Sequence, residues 1–378
     1  CLSRGLGDVY KRQIETQETV YGCDGYWNIC SGIYFQSFFI FQKKPKQQNT
    51  SERSPEQKLP GAFCSMEELM TDETYMRRAL ELAEKGAGWV SPNPLVGAVI
   101  VKDEEIIGEG YHEQYGQLHA ERNALAHCTK SPKGATIYVT LEPCCHHGKQ
   151  PPCTDALLAA GIRRVVIGSK DPNPLVHGKG IRILREHGVE VTEHVLEKEC
   201  DAENEVFFHY MQTKLPFVIL KYAMTLDGKI ATYTGASRWV TGEAARAHVH
   251  RMRNRYRAIM VGVGTVLADD PMLTCRLKGT ENGANPVRII CDSTLRTPLE
   301  SQIVRSAKEI PTILATCNRQ EAMHMPYIEA GCKILVTPEK DGHVDLVDLM
   351  QQLGQLGIDS VILEGGGTLN WSALQAGI

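Results

Sequence analysis

The sequence has little that would take it to a membrane. Its longest apolar run near the N-terminus, IYFQSFFIF at 33–41, is too short and too interrupted to cross a bilayer. The flanks of that run carry no signal-peptide cleavage pattern. An excess of charge of one sign is also missing. A formal net charge of −4 gives no global drive toward nucleic acid or an anionic surface. It leaves room for a local basic pocket that takes one phosphate group. The thirteen cysteines are an odd number and lack the spacing of a disulfide framework. These absences describe a cytoplasmic chain with mostly reduced thiols and neither membrane nor nucleic acid as partner. What is present fits that picture: 42% hydrophobic and 23% charged residues make a soluble globular composition, and 378 residues suffice for two domains.

The ends do not match the middle. Residues 1–65 open with CLSRGLGDVYKRQ, which lacks a methionine and an amphipathic period and reads as translated adaptor or non-coding sequence. QKKPKQQNTSERSPEQKLPG follows, polar and rich in Pro and Gln, with the composition of a disordered segment. A domain-like start comes at Met66 or Met70. At the other end the chain stops at LEGGGTLNWSALQAGI, within a strand, a glycine turn and a helix, which reads as a fragment.

Between the ends, helical and strand patterns alternate. ETYMRRALELAEK spaces Met76, Leu80 and Ala83 as a helix, and Pro92 and Pro94 of SPNPLVG form a turn after it. VGAVIVKD and EEIIGEGYH read as a hairpin, HAERNALAHC and CTDALLAAGI as helices, and ATIYVTLEP and RRVVIGSKD as strands. IRILREHGVEVTEHV reads as a helix, a glycine stop and a short strand. The pentapeptide PNPLV occurs at 92–96 and 172–176, in flanks so different that two similar turns explain it better than a duplication. From about residue 214 a second alternating unit begins: FVILKYAMT, AIMVGVGT, PVRIICDS, PTILAT and SVILEGGG as strands, GEAARAHVHRMRNRY and VDLVDLMQQLGQLG as helices. Such alternation predicts layered α/β sheets.

LEPCCHHGKQPPC, at 141–153, concentrates metal-ligand chemistry. It is coupled to HAE at 119–121. In zinc deaminases an H-x-E at a helix start supplies a ligand and a proton shuttle, and two cysteines at another helix start complete the site. Three protein ligands leave a fourth position open, the mark of catalytic zinc. The usual cysteine pair is PCxxC, whereas here Cys144 and Cys153 have eight residues between them. Gly148, Pro151 and Pro152 supply the turn chemistry to fold that loop back, and Cys153 begins a helix whose dipole favours a thiolate. The ligands expected are therefore His119, Cys144 and Cys153, with Glu121 as the catalytic acid and base. Cys145, adjacent to Cys144, should point elsewhere. His146 or His147 as a fourth ligand would instead make a structural clip, a reading that gives the nearby Glu121 carboxylate no purpose.

The long-loop pattern EPCxHxGxxPPC, together with SPNPLVGAVIV, HAERNAL, DPNPLVHGKGI, LKYAMTLDGKIA, SRWVTG, VGVGTVLADDPMLTCR and LEGGG, resembles the bifunctional deaminase/reductase family of riboflavin biosynthesis over residues 70–378. Gln150 stands where that family usually has threonine and Cys145 where it often has serine, and neither is a ligand position. The resemblance implies a cytidine-deaminase-like three-layer α/β/α domain at 66–213. An incomplete dihydrofolate-reductase-like α/β domain would follow at 214–378. It further implies zinc, one ion per chain, and hydrolytic deamination of 2,5-diamino-6-(5-phosphoribosylamino)pyrimidin-4(3H)-one. The expected pyrimidine and sugar contacts are Asn93, His112, His146, Lys149, Asp171 and Asn173.

For the second unit the resemblance implies NADPH-dependent reduction of the ribosyl group. Ala223, Trp239, Thr265, Asp269, Gly366, Gly367 and Thr368 would contact NADPH. Lys221, Ser237, Arg253, Leu273, Arg276 and Glu364 would contact substrate. Taken by itself GVGT is weak, because the third glycine of a dinucleotide fingerprint is missing. EGGGTLNW says more, since glycines before a helix start let backbone N–H groups meet a phosphate. Without the resemblance, Arg253 in RMRNRYR would read as one charge on a solvated helix face. The family further suggests a homo-oligomer. Two readings compete: a deaminase of another pyrimidine or nucleoside with an inactive second domain, and a non-catalytic zinc-stabilised binding module.

Overall fold

The computed structural model describes residues 71–237, 240–277 and 284–378, together with two short strands, β1 (Trp27–Ile29) and β2 (Ile33–Phe35). Those two strands pair antiparallel, with Trp27 opposite Phe35. The rest of 1–65, expected to be extraneous, lies outside the described residues.

The first sheet forms where β-branched runs alternate with amphipathic helices. Its strands are β3 (Gly97–Lys102), β4 (Glu105–Tyr111), β5 (Thr136–Leu141), β6 (Arg164–Ser169) and β7 (Glu190–Thr192), in the order β4-β3-β5-β6-β7. The pairs β3–β4 and β3–β5 are antiparallel, while β5–β6 and β6–β7 are parallel. Helix α1 (Asp72–Glu84) is capped by Thr71, whose side chain accepts from the Thr74 N–H. Its buried stripe of Tyr75, Met76, Ala79 and Leu82 covers one face of the sheet with Val99, Tyr138 and Val166. The other face is covered by α2 (Ala120–Ala126), α3 (Cys153–Ala159) and α4 (Lys179–Glu186) through Ala124, Leu157, Ile181 and Leu184. Gly110 sets how near α2 lies. A Cβ there would meet the Ala124 nitrogen at 2.2 Å, so any side chain would push the helix, and the residues at its start, off the strand. Two helices had no visible period in the sequence, α5 (Glu197–Glu203) and α6 (Glu205–Thr213), and they lead out of this unit.

The second sheet is parallel throughout, in the order β8 (Phe217–Leu220), β15 (Ser360–Leu363), β9 (Ala258–Gly262), β10 (Val287–Cys291), β11 (Thr312–Thr316), β12 (Lys333–Val336). Helices α7 (Glu243–Arg255), α8 (Val263–Asp269), α9 (Gln302–Arg305), α10 (Glu321–Glu329), α11 (Leu346–Gln355) and α12 (Gly367–Ala376) connect or flank it. A two-strand ribbon of β13 (Glu339–Lys340) and β14 (His343–Val344) precedes α11. Asp345 caps α11 by accepting from the Val347 and Asp348 N–H groups, and Leu346, Leu349, Met350 and Leu353 bury one side of it.

Two strand boundaries differ from the sequence reading. FVILKYAMT is a strand only to Leu220, and AIMVGVGT ends its strand at Gly262. Gly262 is the extended N-cap of α8, so Gly264 and Thr265 belong to a first helical turn. In both cases the apolar strand pattern runs past the end of the sheet partner.

Candidate active sites

His119 is the N-cap of α2, and Glu121 sits in the first turn of the same helix, 97% buried from solvent. Cys144 follows β5, and Cys153 is the first residue of α3. The nine-residue return is closed by backbone: the Cys153 and Thr154 N–H groups donate to the Cys144 carbonyl at 3.0 and 3.2 Å. Arg122, which the sequence did not single out, donates to the Pro151 and Pro152 carbonyls and ties α2 to this loop. The His119 Nδ1 stands 3.4 Å from each cysteine Sγ. All three ligand atoms lie within 4.8 Å of one another.

Donors held by a tetrahedral zinc at about 2.0–2.3 Å stand roughly 3.6 Å apart, so these residues fit that ion. The protonation pattern fits as well. A hydrogen bond from Cys153, and His119 beside it, hold the Cys144 thiol down to about 4. Cys153, bonded to that thiolate and buried, rises in turn. Burial, and then the Cys144 charge, push Glu121 up to about 7. Cys145 turns away, its Sγ facing the Leu175 carbonyl at 3.7 Å.

Above this triad is a cavity of about 300 Å³. Asn93, His112, His146, Lys149, Asp171 and Asn173 all line it, with His119, Glu121 and Cys144. Burial lowers the His112 pKa. Its Nδ1–H donates to the Leu118 carbonyl at 2.9 Å, which leaves Nε2 to accept from the Asn93 amide at 3.1 Å. The Asp171 carboxyl, raised to about 6 by burial, accepts from the Asn173 N–H at 2.8 Å. The Lys149 ammonium lies 3.8 Å over the Tyr115 ring.

The two PNPLV turns differ in their partners. Asn173 accepts from the Leu175 N–H within its own turn. Asn93 faces His112 instead, and Asn204 replaces it locally by bonding both the N–H and the carbonyl of Leu95. Phe207, Tyr210 and Met211 on α6 complete the wall. Glu142, next to the cysteine loop, accepts from the Gly178, Gly180 and Ile181 N–H groups and so anchors the start of α4. No spacing in the sequence pointed to either group.

In the second unit, Lys221, Arg253 and Glu364 form one cluster. Arg253 binds Glu364 through Nε and Nη2 at 2.9 and 3.1 Å, and Lys221 Nζ lies 3.2 Å from the same carboxylate. The guanidinium fork thus faces Glu364, and Nη1 donates to the Thr274 carbonyl, next to Leu273. Arg276 is exposed, and its guanidinium reaches the Thr274 hydroxyl. Gly366, Gly367 and Thr368 open α12 just past the end of β15. A Cβ on Gly366 or Gly367 would meet nothing, whereas one on Gly365 would meet the Leu369 Cβ at 2.9 Å. Thr265 and Asp269 lie on α8, past the end of the adjacent strand β9. Ala223 and the exposed Ser237 lie on the irregular stretch after β8. Trp239 lies outside the described residues. Among the described residues no helix is long and apolar enough to cross a membrane.

Residues 69–169 match the cytidine and deoxycytidylate deaminase zinc-binding region, and residues 216–378 match the RibD C-terminal domain. Riboflavin biosynthesis protein RibD of Actinobacillus pleuropneumoniae is 58% identical, over 82% of this chain and 81% of its own. The protein of that name from Escherichia coli K12 is 44% identical, over 82% and 85%. Among solved structures, the chain resembles a diaminohydroxyphosphoribosylaminopyrimidine deaminase/5-amino-6-(5-phosphoribosylamino)uracil reductase from Thermotoga maritima. That likeness has a TM-score of 0.72 and 46% identity, over 80% of this chain and 83% of the other. Acinetobacter baumannii RibD gives a TM-score of 0.73 at 40% identity, over 81% and 83%. Likeness of this extent, spanning both sheets and both sites, means that the chain belongs to the RibD family, the bifunctional deaminase/reductases of riboflavin biosynthesis.

Proposed function

We propose that residues 66–213 deaminate 2,5-diamino-6-(5-phosphoribosylamino)pyrimidin-4(3H)-one. Residues 214–378 would then reduce the ribosyl group of the product with NADPH, giving 5-amino-6-(5-phosphoribitylamino)uracil. The observation that carries this reading is the convergence of His119, Cys144 and Cys153 beside buried Glu121, at the base of a cavity that also gathers Asn93, Asp171 and Lys149.

His119, Cys144 and Cys153 would hold zinc, which supplies Lewis acidity for activating water. Glu121, buried beside His119, would take up the two protons of the attacking water in turn, passing the first to the ring nitrogen and the second to the amino group that departs as ammonia. The neutral His112 fixes the Asn93 amide toward the pyrimidine. Lys149, over the Tyr115 ring, offers a cation in the cavity wall for the phosphate.

In the second unit NADPH supplies the hydride. The uncapped N–H groups at the start of α12 suit a pyrophosphate. Lys221, next to Glu364, is the group placed to donate a proton as the sugar is reduced.

The test is to load the protein with zinc and measure ammonia release and NADPH oxidation separately. Glu121→Ala should keep about one zinc per chain while deamination falls on the order of 10²–10⁴-fold. Retained deamination in that variant would refute the assignment.

A further inference from the structure

The turn that carries Asn93 is held from outside its own unit. Asp359 lies just before β15 and is 4% exposed. Its Oδ2 accepts from the Ser91 hydroxyl at 2.7 Å, across a sequence separation of 268 residues. Its Oδ1 accepts from the Ser360 hydroxyl at 2.7 Å, and the Ser360 oxygen in turn accepts from the Arg257 N–H at 3.0 Å. The Asp359 carbonyl accepts from the Phe217 N–H at 2.7 Å. Both carboxylate oxygens and the backbone are thereby engaged, which fixes the group in one orientation.

The effect on the deaminase cavity follows from the chain path. Ser91 is two residues before Asn93, and the Asn93 N–H closes the turn on the Val90 carbonyl at 2.8 Å. On the far side Leu95 is clamped through both backbone groups by Asn204. Asn93 therefore hangs between two fixed points, one supplied by the reductase half. A small space of about 50 Å³ between the halves is walled by Ser91, Asp359, Asn93 and Phe207, and the last two also wall the deaminase cavity. Only Pro92 stands between Ser91 and Asn93, so a shift at Ser91 is carried by one residue to the Asn93 turn.

We propose that Asp359 is a positioning residue for the deaminase: through Ser91 it sets the Asn93 turn, so that the reductase half determines how tightly the pyrimidine is bound. Asp359 touches no substrate itself. It lies about five strand residues, roughly 16 Å, from Glu364 at the other end of β15. One strand thus presents a carboxylate to each half. The inference rests on the deaminase reading of the cavity.

The experiment uses the full chain loaded with zinc and compares Ser91→Ala, Asp359→Ala and Asp359→Asn with the parent. Deamination kinetics, zinc content and melting temperature are the readouts. The expected result is a KM raised about tenfold in Ser91→Ala and Asp359→Ala, as the loss of one part-buried, orienting hydrogen bond to a charged group implies. Zinc content should be unchanged and kcat should stay within about threefold. The double variant Ser91→Ala/Asp359→Ala should be no worse than either single change. Asp359→Asn, which can still accept from Ser91, should restore most of the KM. An unchanged KM in a folded Ser91→Ala protein would overturn the proposal while leaving the deaminase reading intact. So would a loss of kcat and KM together that Asp359→Asn does not repair. A zinc-loaded parent that releases no ammonia would overturn the deaminase reading itself, and the proposal with it.

Discussion

Asn93 donates its side-chain amide to Nε2 of His112, at 3.1 Å. The bond requires a neutral imidazole protonated at Nδ1, and both burial and the Leu118 carbonyl at 2.9 Å are consistent with that form. His112→Ala removes the acceptor and frees the amide to rotate. We expect KM for the pyrimidine to rise about tenfold, with a smaller change in kcat. Because burial lowers the His112 pKa, KM should stay flat from neutral to alkaline pH as far as this residue is concerned. Steady-state ammonia release across that range checks both statements.

Glu364 is the hinge of the reductase cluster. Burial would raise its carboxyl, but the Arg253 hydrogen bonds and charge, with Lys221, bring it below the usual carboxylate range. Removing it leaves two cations facing each other in a half-buried place. Glu364→Gln should therefore cost on the order of 3 kcal/mol of stability in urea denaturation, besides its effect on NADPH oxidation. Lys221→Met, at the more exposed end of the cluster, should cost less.

Asp72, at the start of α1, accepts from the Arg164 Nη1 and Nη2 at 2.9 and 2.6 Å and from the Tyr138 hydroxyl at 2.9 Å. The Arg164 hydrogen bonds, more than any other cause, depress its pKa. A carboxyl depressed in the folded state contributes stability that is complete above its unfolded value of about 3.9. That contribution disappears as pH falls through the folded value. The pair is partly exposed, so about 1 kcal/mol is the expected size. Asp72→Asn should lower stability at pH 7 by about that amount and flatten its decline below pH 4, measured by urea denaturation at several pH values.

The convergence of His119, Cys144 and Cys153 was legible because metal-ligand chemistry restricts the residue types. A histidine and a carboxylate at one helix start, and thiols at a loop and another helix start, leave a mark that survives the unusual eight-residue interval. The α6 wall was not legible. EKECDAE buries only Cys200 and EVFFHYMQT only Phe207, so neither has a stripe to detect. The partner of Arg253 was hidden for another reason. Glu364 is 111 positions away, and only the adjacency of β15 and β9 brings the two side chains together. The two PNPLV turns mark the same limit from the other side: five identical residues take different partners because the Asn204 amide engages both backbone groups of Leu95 in one place, while in the other the Leu175 N–H is left to Asn173.

The order of the second sheet has a consequence for how the protein is made. β15 leaves the ribosome well after β8 and β9, yet it lies between them, pairing Ile219 with Ile362 and Ile259 with Ile362. The first sheet can close once residue 192 has emerged, from strands that are near neighbours in the chain. The second carries an unfilled slot through the synthesis of more than a hundred residues, with the facing edges of two apolar strands exposed meanwhile. A nascent chain in this state offers a chaperone, or an aggregate, a defined place to bind. Its vulnerability ends only when SVIL is inserted.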